Sequence, residues 1–339
     1  MSWALVFLAV PAVVAGCGAG GPGASAELSP GLGRPAIAAP VRSLDQARLP
    51  AALSAAGVLL PPGANVYAVV LDRDKPRGRY EQFEAGGGAL AEDFWPASSV
   101  KLLAAVGALA YVRTLGLTGA ATVSYGGGAG AGPSVRAIAR SAIEESSNEA
   151  YDQLLEIAGV DWLNTAFLTA ESGFPETVVQ RSYAYSGVVS SPELTFSEGA
   201  FEVTVPARVT EGGFGVPAAG NRSNLRELTE SVRRVVLHGV LAPEERFDID
   251  AVDALVLELA LLGAEGFIEP AATQTFAGGV LVYDKPGYVV GDDCVDVAYI
   301  DSVERSQAYL LAVSTPDDGR SCETVTDVAR GTLGFLETL

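Results

Sequence analysis

The sequence predicts an α+β domain: one antiparallel sheet built from both ends of the chain, flanked by helices, with an all-helical insertion between the two halves. Three observations carry this. Two runs rich in β-branched and aromatic residues, "NVYAVVLD" (65–72) and "GRYEQFEAG" (78–86), stand early in the chain. Three more stand late: "GGVLVYDKPG" (278–287), "VDVAYID" (295–301) and "SQAYLLAVST" (306–315). Between them, apolar residues recur at helical spacing or show no period. Strands gathered at the two ends do not alternate with helices as βαβ units would, which makes the sheet antiparallel.

The elements follow in order. "SLDQARLPAALSAAG" (43–57) reads as a first helix disturbed at Pro50. After the first two strands, "WPASSVKLLAAVGALAYV" (95–112) is apolar almost all round from Leu102, the mark of a buried central helix. "SVRAIARSAIEES" (134–146), "NEAYDQLLEIAG" (148–159) and "VDWLNTAFLTAESG" (160–173) are helical by spacing. Residues 182–222, rich in Gly, Ser and Pro, form a long loop. Helices return at "NLRELTESVRRVVLHG" (224–239) and at 244–262, and a last one over 321–338 follows the three late strands.

Composition bounds the function. With 339 residues, 49% hydrophobic and 19% charged, the chain has enough apolar content for a sizeable core. A net charge of −19 excludes a nucleic-acid surface, which must be basic. The acidic residues are scattered and read as a solvated face, and the chain is expected to act as a monomer.

The amino terminus, "MSWALVFLAVPAVVAGC", is a short apolar stretch ending in small residues, with no Lys or Arg ahead of it. "VVAGC" resembles the lipobox of bacterial lipoproteins, in which the cysteine becomes the acylated first residue of the mature chain. That implies a signal peptide over 1–16, a lipidated Cys17, a Gly/Pro/Ala-rich tether over 17–42 and a folded domain over 43–339. The protein would then be exported and lipid-anchored to the outer face of a bacterial membrane. An ordinary signal peptide and an anchor helix are the other readings. Cys294 and Cys322 remain, one disulfide in an exported protein or two free thiols in a cytosolic one.

The single histidine, His238, precedes a glycine at a helix end and is read as capping carbonyls there. With no second histidine and no cysteine cluster, neither a zinc site nor another cofactor is expected. Lysine is the remaining base. The chain holds only three, Lys75, Lys101 and Lys285, and Lys101 enters the apolar central helix. Ser98 lies three residues before it, so on a helix the two Cβ atoms share a face at about 5–6 Å. Burial disfavours the charged amine and makes it a proton acceptor, while unpaired N–H groups at the first turn suit a developing oxyanion. The structural reading of the same residues is that Ser98 or Ser99 caps the helix and Lys101 snorkels.

Two further triplets weigh on that choice: "SSN" (Ser146–Asn148) between helices, and Lys285-Pro286-Gly287 on a late strand. S-x-x-K, S-x-N and K-x-G in this order resemble the serine β-lactamase and penicillin-binding-protein family, nearest to class A β-lactamases. The likeness spans about 60–339. It implies Ser98 as nucleophile, Lys101 as its base and Ser146 as a proton relay to the leaving nitrogen. Asn148 would hold the substrate amide, and Lys285 would supply positive potential. The N–H groups of Ser98 and of Tyr288, which follows Gly287, would bind the oxyanion. The implied substrate is a β-lactam or a peptidoglycan-like amide, with no cofactor.

The departures are equally specific. The deacylating loop glutamate has no counterpart in "RSYAYSG" (181–187). Glu193 in "SPELT", and more weakly Glu176, are the candidates to replace it. Pro286 stands where the family has a hydroxyl, and Ser147 where it has an aspartate. Two functions therefore stay open: a serine hydrolase with weak deacylation, or a non-catalytic module that binds in the cell envelope.

Overall fold

The computed structural model describes residues 44–72, 80–91, 95–126, 132–185, 187–210, 212–217, 220–302, 307–317, 319–320 and 322–339. The expected signal peptide over 1–16, Cys17 and the whole expected tether over 17–42 fall on residues 1–43, outside the described residues. Among the described residues no helix is long and apolar enough to cross a membrane.

Helix α1 (Arg48–Ala55) carries Pro50 in its first turn, where the missing N–H has no helical partner to lose, so the helix continues. Strands β1 (Asn65–Asp72) and β2 (Tyr80–Ala85) pair antiparallel, Val66 opposite Ala85. A 3₁₀ turn, Ala97–Val100, leads into α2 (Lys101–Thr114). Short β3 (Thr122–Tyr125) precedes α3 (Val135–Glu144) and α4 (Asn148–Ala158). Their N-caps are serines: Ser134 Oγ accepts from Ala137 N at 3.2 Å and Ser147 Oγ from Ala150 N at 3.1 Å. Then come α5 (Val160–Trp162), running into a wide turn over Leu163–Phe167, and β4 (Leu194–Glu198) with β5 (Phe201–Val205). Helices α6 (Leu225–Val236), α7 (Ala251–Leu262) and α8 (Glu269–Thr275) follow. The chain closes with β6 (Val280–Asp284), β7 (Gly287–Tyr288), β8 (Asp293–Ser302), β9 (Gln307–Pro316) and α9 (Glu323–Leu336).

The main sheet has the order β2-β1-β9-β8-β6, with β7 also on β8, and all its pairs are antiparallel. The first strand thus lies beside the last, which is the predicted assembly from both chain ends. β1 explains why its sequence does not alternate. Tyr67, Val69 and Leu71 enter a core shared with α2, α3 and α4, while Val66, Ala68 and Val70 enter a second core shared with α1, α8 and α9. Both faces are covered, so both sets are apolar.

Several expectations change. The 182–222 stretch is not all loop: Leu194 and Phe196 are buried at period two, and β4 and β5 form a hairpin that joins β3 in a second sheet. The helix placed over 244–262 begins only at Ala251, where Asp250 Oδ1 accepts from Val252 N at 2.8 Å. His238 does not cap helix carbonyls. Its Nε2 donates to Phe247 O at 3.1 Å, across to the following loop, and burial lowers its pKa. Of the two readings of Cys294 and Cys322, the disulfide is the one present: Cys294, in β8, is bridged to Cys322 with an S–S distance of 2.01 Å and Cα atoms 5.5 Å apart. The disulfide pins the end of the sheet to the start of α9.

Candidate active site

α2 is buried along nearly its whole length, and Lys101 at its first position has 0% exposure. Ser98 is half-buried one 3₁₀ turn earlier, and its carbonyl accepts the Lys101 backbone N–H. Residues three apart eclipse in such a turn, so the two side chains rise on one side.

The Lys101 amine does not snorkel. Nζ donates to Ser146 O at 2.5 Å and to Asn148 Oδ1 at 2.7 Å, with Ser146 Oγ at 3.3 Å. Lys285, 1% exposed, approaches the same hydroxyl, donating from Nζ to Ser146 Oγ at 3.0 Å and to Pro286 O at 3.2 Å. Burial and then the Lys285 charge bring the Lys101 pKa down to about 7, against the pull of Asp152 and Glu149. Burial brings Lys285 down to about 8, offset by Asp296 and Asp284. A neutral lysine has two hydrogens and one lone pair. The two short contacts take the hydrogens, leaving the lone pair for a hydroxyl proton.

β7 completes the arrangement. A Cβ on Gly287 would lie 2.9 Å from Ser98 N and 2.9 Å from Ala97 Cβ, so only glycine lets this strand pass so close to the Ser98 amide. Lys285 N donates to Val297 O and Val289 N to Asp293 O, so the odd positions face β8. By strand alternation the Tyr288 N–H points to the opposite edge, the side of Ser98. The lysine itself sits in the break between β6 and β7, not within one continuous strand.

Backbone strain marks the same place. Among the described residues, three non-glycines have positive φ, and two are Ala97 (φ 46°) and Ser146 (φ 52°). Each is held through its carbonyl: Tyr183 Oη donates to Ala97 O at 2.6 Å, and Lys101 holds Ser146 O. Such conformations cost about 1–3 kcal/mol and persist where the surroundings fix them.

Neither a family model nor a curated protein matches the chain. Solved structures do. One described as the structure of PBP-A has a TM-score of 0.58 at 15% identity, over 88% of this chain and 99% of that one. A β-lactamase from Sphaerobacter thermophilus gives 0.56 at 15%, covering 86% and 98%. A variant of the reconstructed class A β-lactamase of the last common ancestor of Gram-negative bacteria gives 0.54 at 20%, covering 84% and 98%. This chain has the serine β-lactamase/penicillin-binding-protein fold. Within that fold, Ser98, Lys101, Ser146, Asn148, Lys285 and Gly287 are brought together from three separate stretches of sequence.

The glutamates are not. Glu193 is exposed at the foot of β4 in the small sheet of this β-lactamase-like fold, where its carbonyl accepts from Gly126 N at 3.0 Å. Glu176 lies in a separate group, its N–H donating to the Glu227 carboxylate at 3.2 Å. Neither has a hydrogen bond to Lys101, Ser146 or Lys285. The segment that does face the site is residues 181–185. Asp152, four residues after Asn148 on α4, accepts from Ser182 Oγ, Tyr183 N and Ala184 N at 2.5, 2.9 and 3.1 Å. This sets the Tyr183 ring 5.7 Å from Lys101 Nζ and stacks it on Tyr151. Burial pushes the Tyr183 phenol up, so it stays a neutral donor. Ser147 is spent as the cap of α4. Asp152 and Tyr183 are not among the residues that the sequence singles out. The i, i+4 spacing from Asn148 signals the first, whereas nothing local signals the second.

Proposed function

We propose that this protein is a serine acyl-transfer hydrolase, with Ser98 as nucleophile, acting on an amide, ester or β-lactam-type carbonyl. The observation that carries the reading is the convergence of Lys101, Lys285 and Asn148 around Ser146 at the head of the Ser98 helix. Ser98 Oγ attacks the carbonyl carbon while neutral Lys101 takes its proton. The N–H groups of Ser98 and Tyr288 bind the oxyanion. The intermediate collapses as the C–N bond breaks, and the leaving nitrogen takes a proton through the Ser146 hydroxyl, which Lys285 polarises. The result is an acyl-serine. A PBP-A variant has been captured as an acyl-enzyme with penicillin G, in the same fold at 16% identity.

Hydrolysis of that ester needs a base aimed at water, and the segment facing the site offers Tyr183 instead of a carboxylate. Deacylation is therefore slow in this account. That same feature, with Pro286 lacking both hydroxyl and N–H, favours the second reading, a non-catalytic binding module of the cell envelope. Labelling with a fluorescent penicillin separates them: wild-type protein takes up the label and Ser98→Ala does not.

The lipobox-like "VVAGC" supports export and anchoring through a lipidated Cys17. Cys17→Ala then releases the protein from membranes into the medium. Retention of that variant after a carbonate wash would sink the anchoring proposal.

A further inference from the structure

Behind Lys285 lie two fully buried carboxyl groups that the acylation chemistry does not use. Asp284, 1% exposed, ends β6; Asp296, 0% exposed, sits on neighbouring β8. Asp296 accepts three backbone N–H groups: Phe267 and Val297 at 2.6 and 2.8 Å, and Ile268 at 2.8 Å. That donor set stabilises an ionised carboxylate. Asp284 has the opposite surroundings: neither of its buried oxygens meets a donor beyond the residue's own backbone N–H. Both groups crowd over Gly266, where a Cβ would lie 1.9 Å from Asp284 Oδ2 and 2.7 Å from Asp296 Oδ2. Two carboxylates so close in a dry interior do not both ionise.

We infer that Asp284 is a neutral carboxylic acid donating its proton to an Asp296 carboxylate, and that this singly charged pair is the counter-charge that positions Lys285 and keeps it an ammonium. The consequence for catalysis rests on the hydrolase reading above, through Lys285 at Ser146; the pairing itself does not. Burial and the neighbouring Asp296 push the Asp284 carboxyl well up; burial also raises Asp296, but its N–H donors and Lys285 limit the rise to about 6, so at neutral pH the proton resides on Asp284. Lys285 is faced by Lys101 from α2, Ser146 from the α3–α4 junction, Asp284 from β6 and Asp296 from β8, with Glu269 of α8 acting on Asp284. Asp284 and Asp296 are positioning residues: they reach the reacting atoms only through Lys285.

With three lysines in the chain, the side-chain titrations are separable by NMR on protein labelled at lysine Cε, with no substrate present. Asp284→Asn supplies an N–H donor and leaves Asp296 charged, so Lys285 titrates where it does in the wild type. Asp284→Asn/Asp296→Asn removes the charge, and the Lys285 titration falls by about one pH unit or more. A fall in the single variant as large as in the double would overturn the neutral-acid assignment, and an unmoved Lys285 in the double would overturn the counter-charge. Should the double variant not fold, infrared difference spectra at pH 7 decide: Asp284→Asn loses the carbonyl stretch of an un-ionised carboxyl, and its absence from the wild type contradicts the inference. Neither measurement depends on turnover, so the hydrolase reading can fail independently.

Discussion

Lys101 and Lys285 meet at one hydroxyl: their Nζ atoms stand 3.3 and 3.0 Å from Ser146 Oγ. Two ammonium groups so placed repel, and burial weakens both. The balance falls unevenly because Lys285 has Asp296 and Asp284 behind it, whereas for Lys101 the Asp152 and Glu149 carboxylates only partly offset burial and the Lys285 charge. The result is one neutral amine and one ammonium across a shared serine, a pairing suited to moving a proton.

This fixes the pH dependence of acylation. The step needs Lys101 unprotonated, so its rate rises as pH passes about 7, and it needs Lys285 protonated, so the rate falls above about 8. A narrow bell is the expected profile for single-turnover acylation by an activated ester. Lys101→Ala loses the rising limb and about 10²–10⁴-fold in rate. A flat profile from pH 6 to 9 would refute the assignment of these roles.

Gly287→Ala tests the oxyanion site. The new methyl meets Ser98 N and Val295 Cγ1 at 2.9 and 2.8 Å, so β7 must withdraw from the Ser98 amide. Acylation is expected to fall by about 10²–10³-fold, the loss typical of one missing oxyanion donor. Circular dichroism and thermal melting check that the fold survives. Wild-type acylation in a folded variant would contradict the placement of the oxyanion.

Much of this was legible in the chain, and the exceptions have physical causes. The antiparallel sheet drawn from both chain ends follows from β-branched and aromatic runs gathered early and late in the sequence. Lys101 was conspicuous because a lysine in an apolar helix needs a reason. The β4–β5 hairpin was hidden because its two short strands lie within a stretch dominated by Gly, Ser and Pro, which reads as loop. Tyr183 was hidden because its role is set by Asp152 and Ala97, which only the fold brings to it. Nothing local marks the acid pair behind Lys285: Asp284 and Asp296 are buried together only because β6 and β8 are neighbours.

The Cys294–Cys322 bridge closes a separation of 28 residues at the end of the sheet. In the chain-entropy model a loop of this size is worth roughly 3 kcal/mol. Paired replacement by alanine should lower the urea-unfolding free energy by about that amount without abolishing acylation, since Cys294 meets the site only as the strand partner of Tyr288. An unchanged midpoint in urea would show the bridge to be energetically idle.

The most direct test of the central claim is intact-mass spectrometry in time after mixing with a β-lactam or an activated ester, followed by peptide mapping. One acyl adduct is expected on Ser98, forming quickly and decaying slowly, with the same decay in Glu193→Gln because Glu193 is exposed at the foot of β4. That expectation is contradicted by the absence of any adduct across such reagents, or by an adduct on a residue other than Ser98. Rapid multiple turnover without accumulation would show that a deacylating base faces the acyl-serine after all.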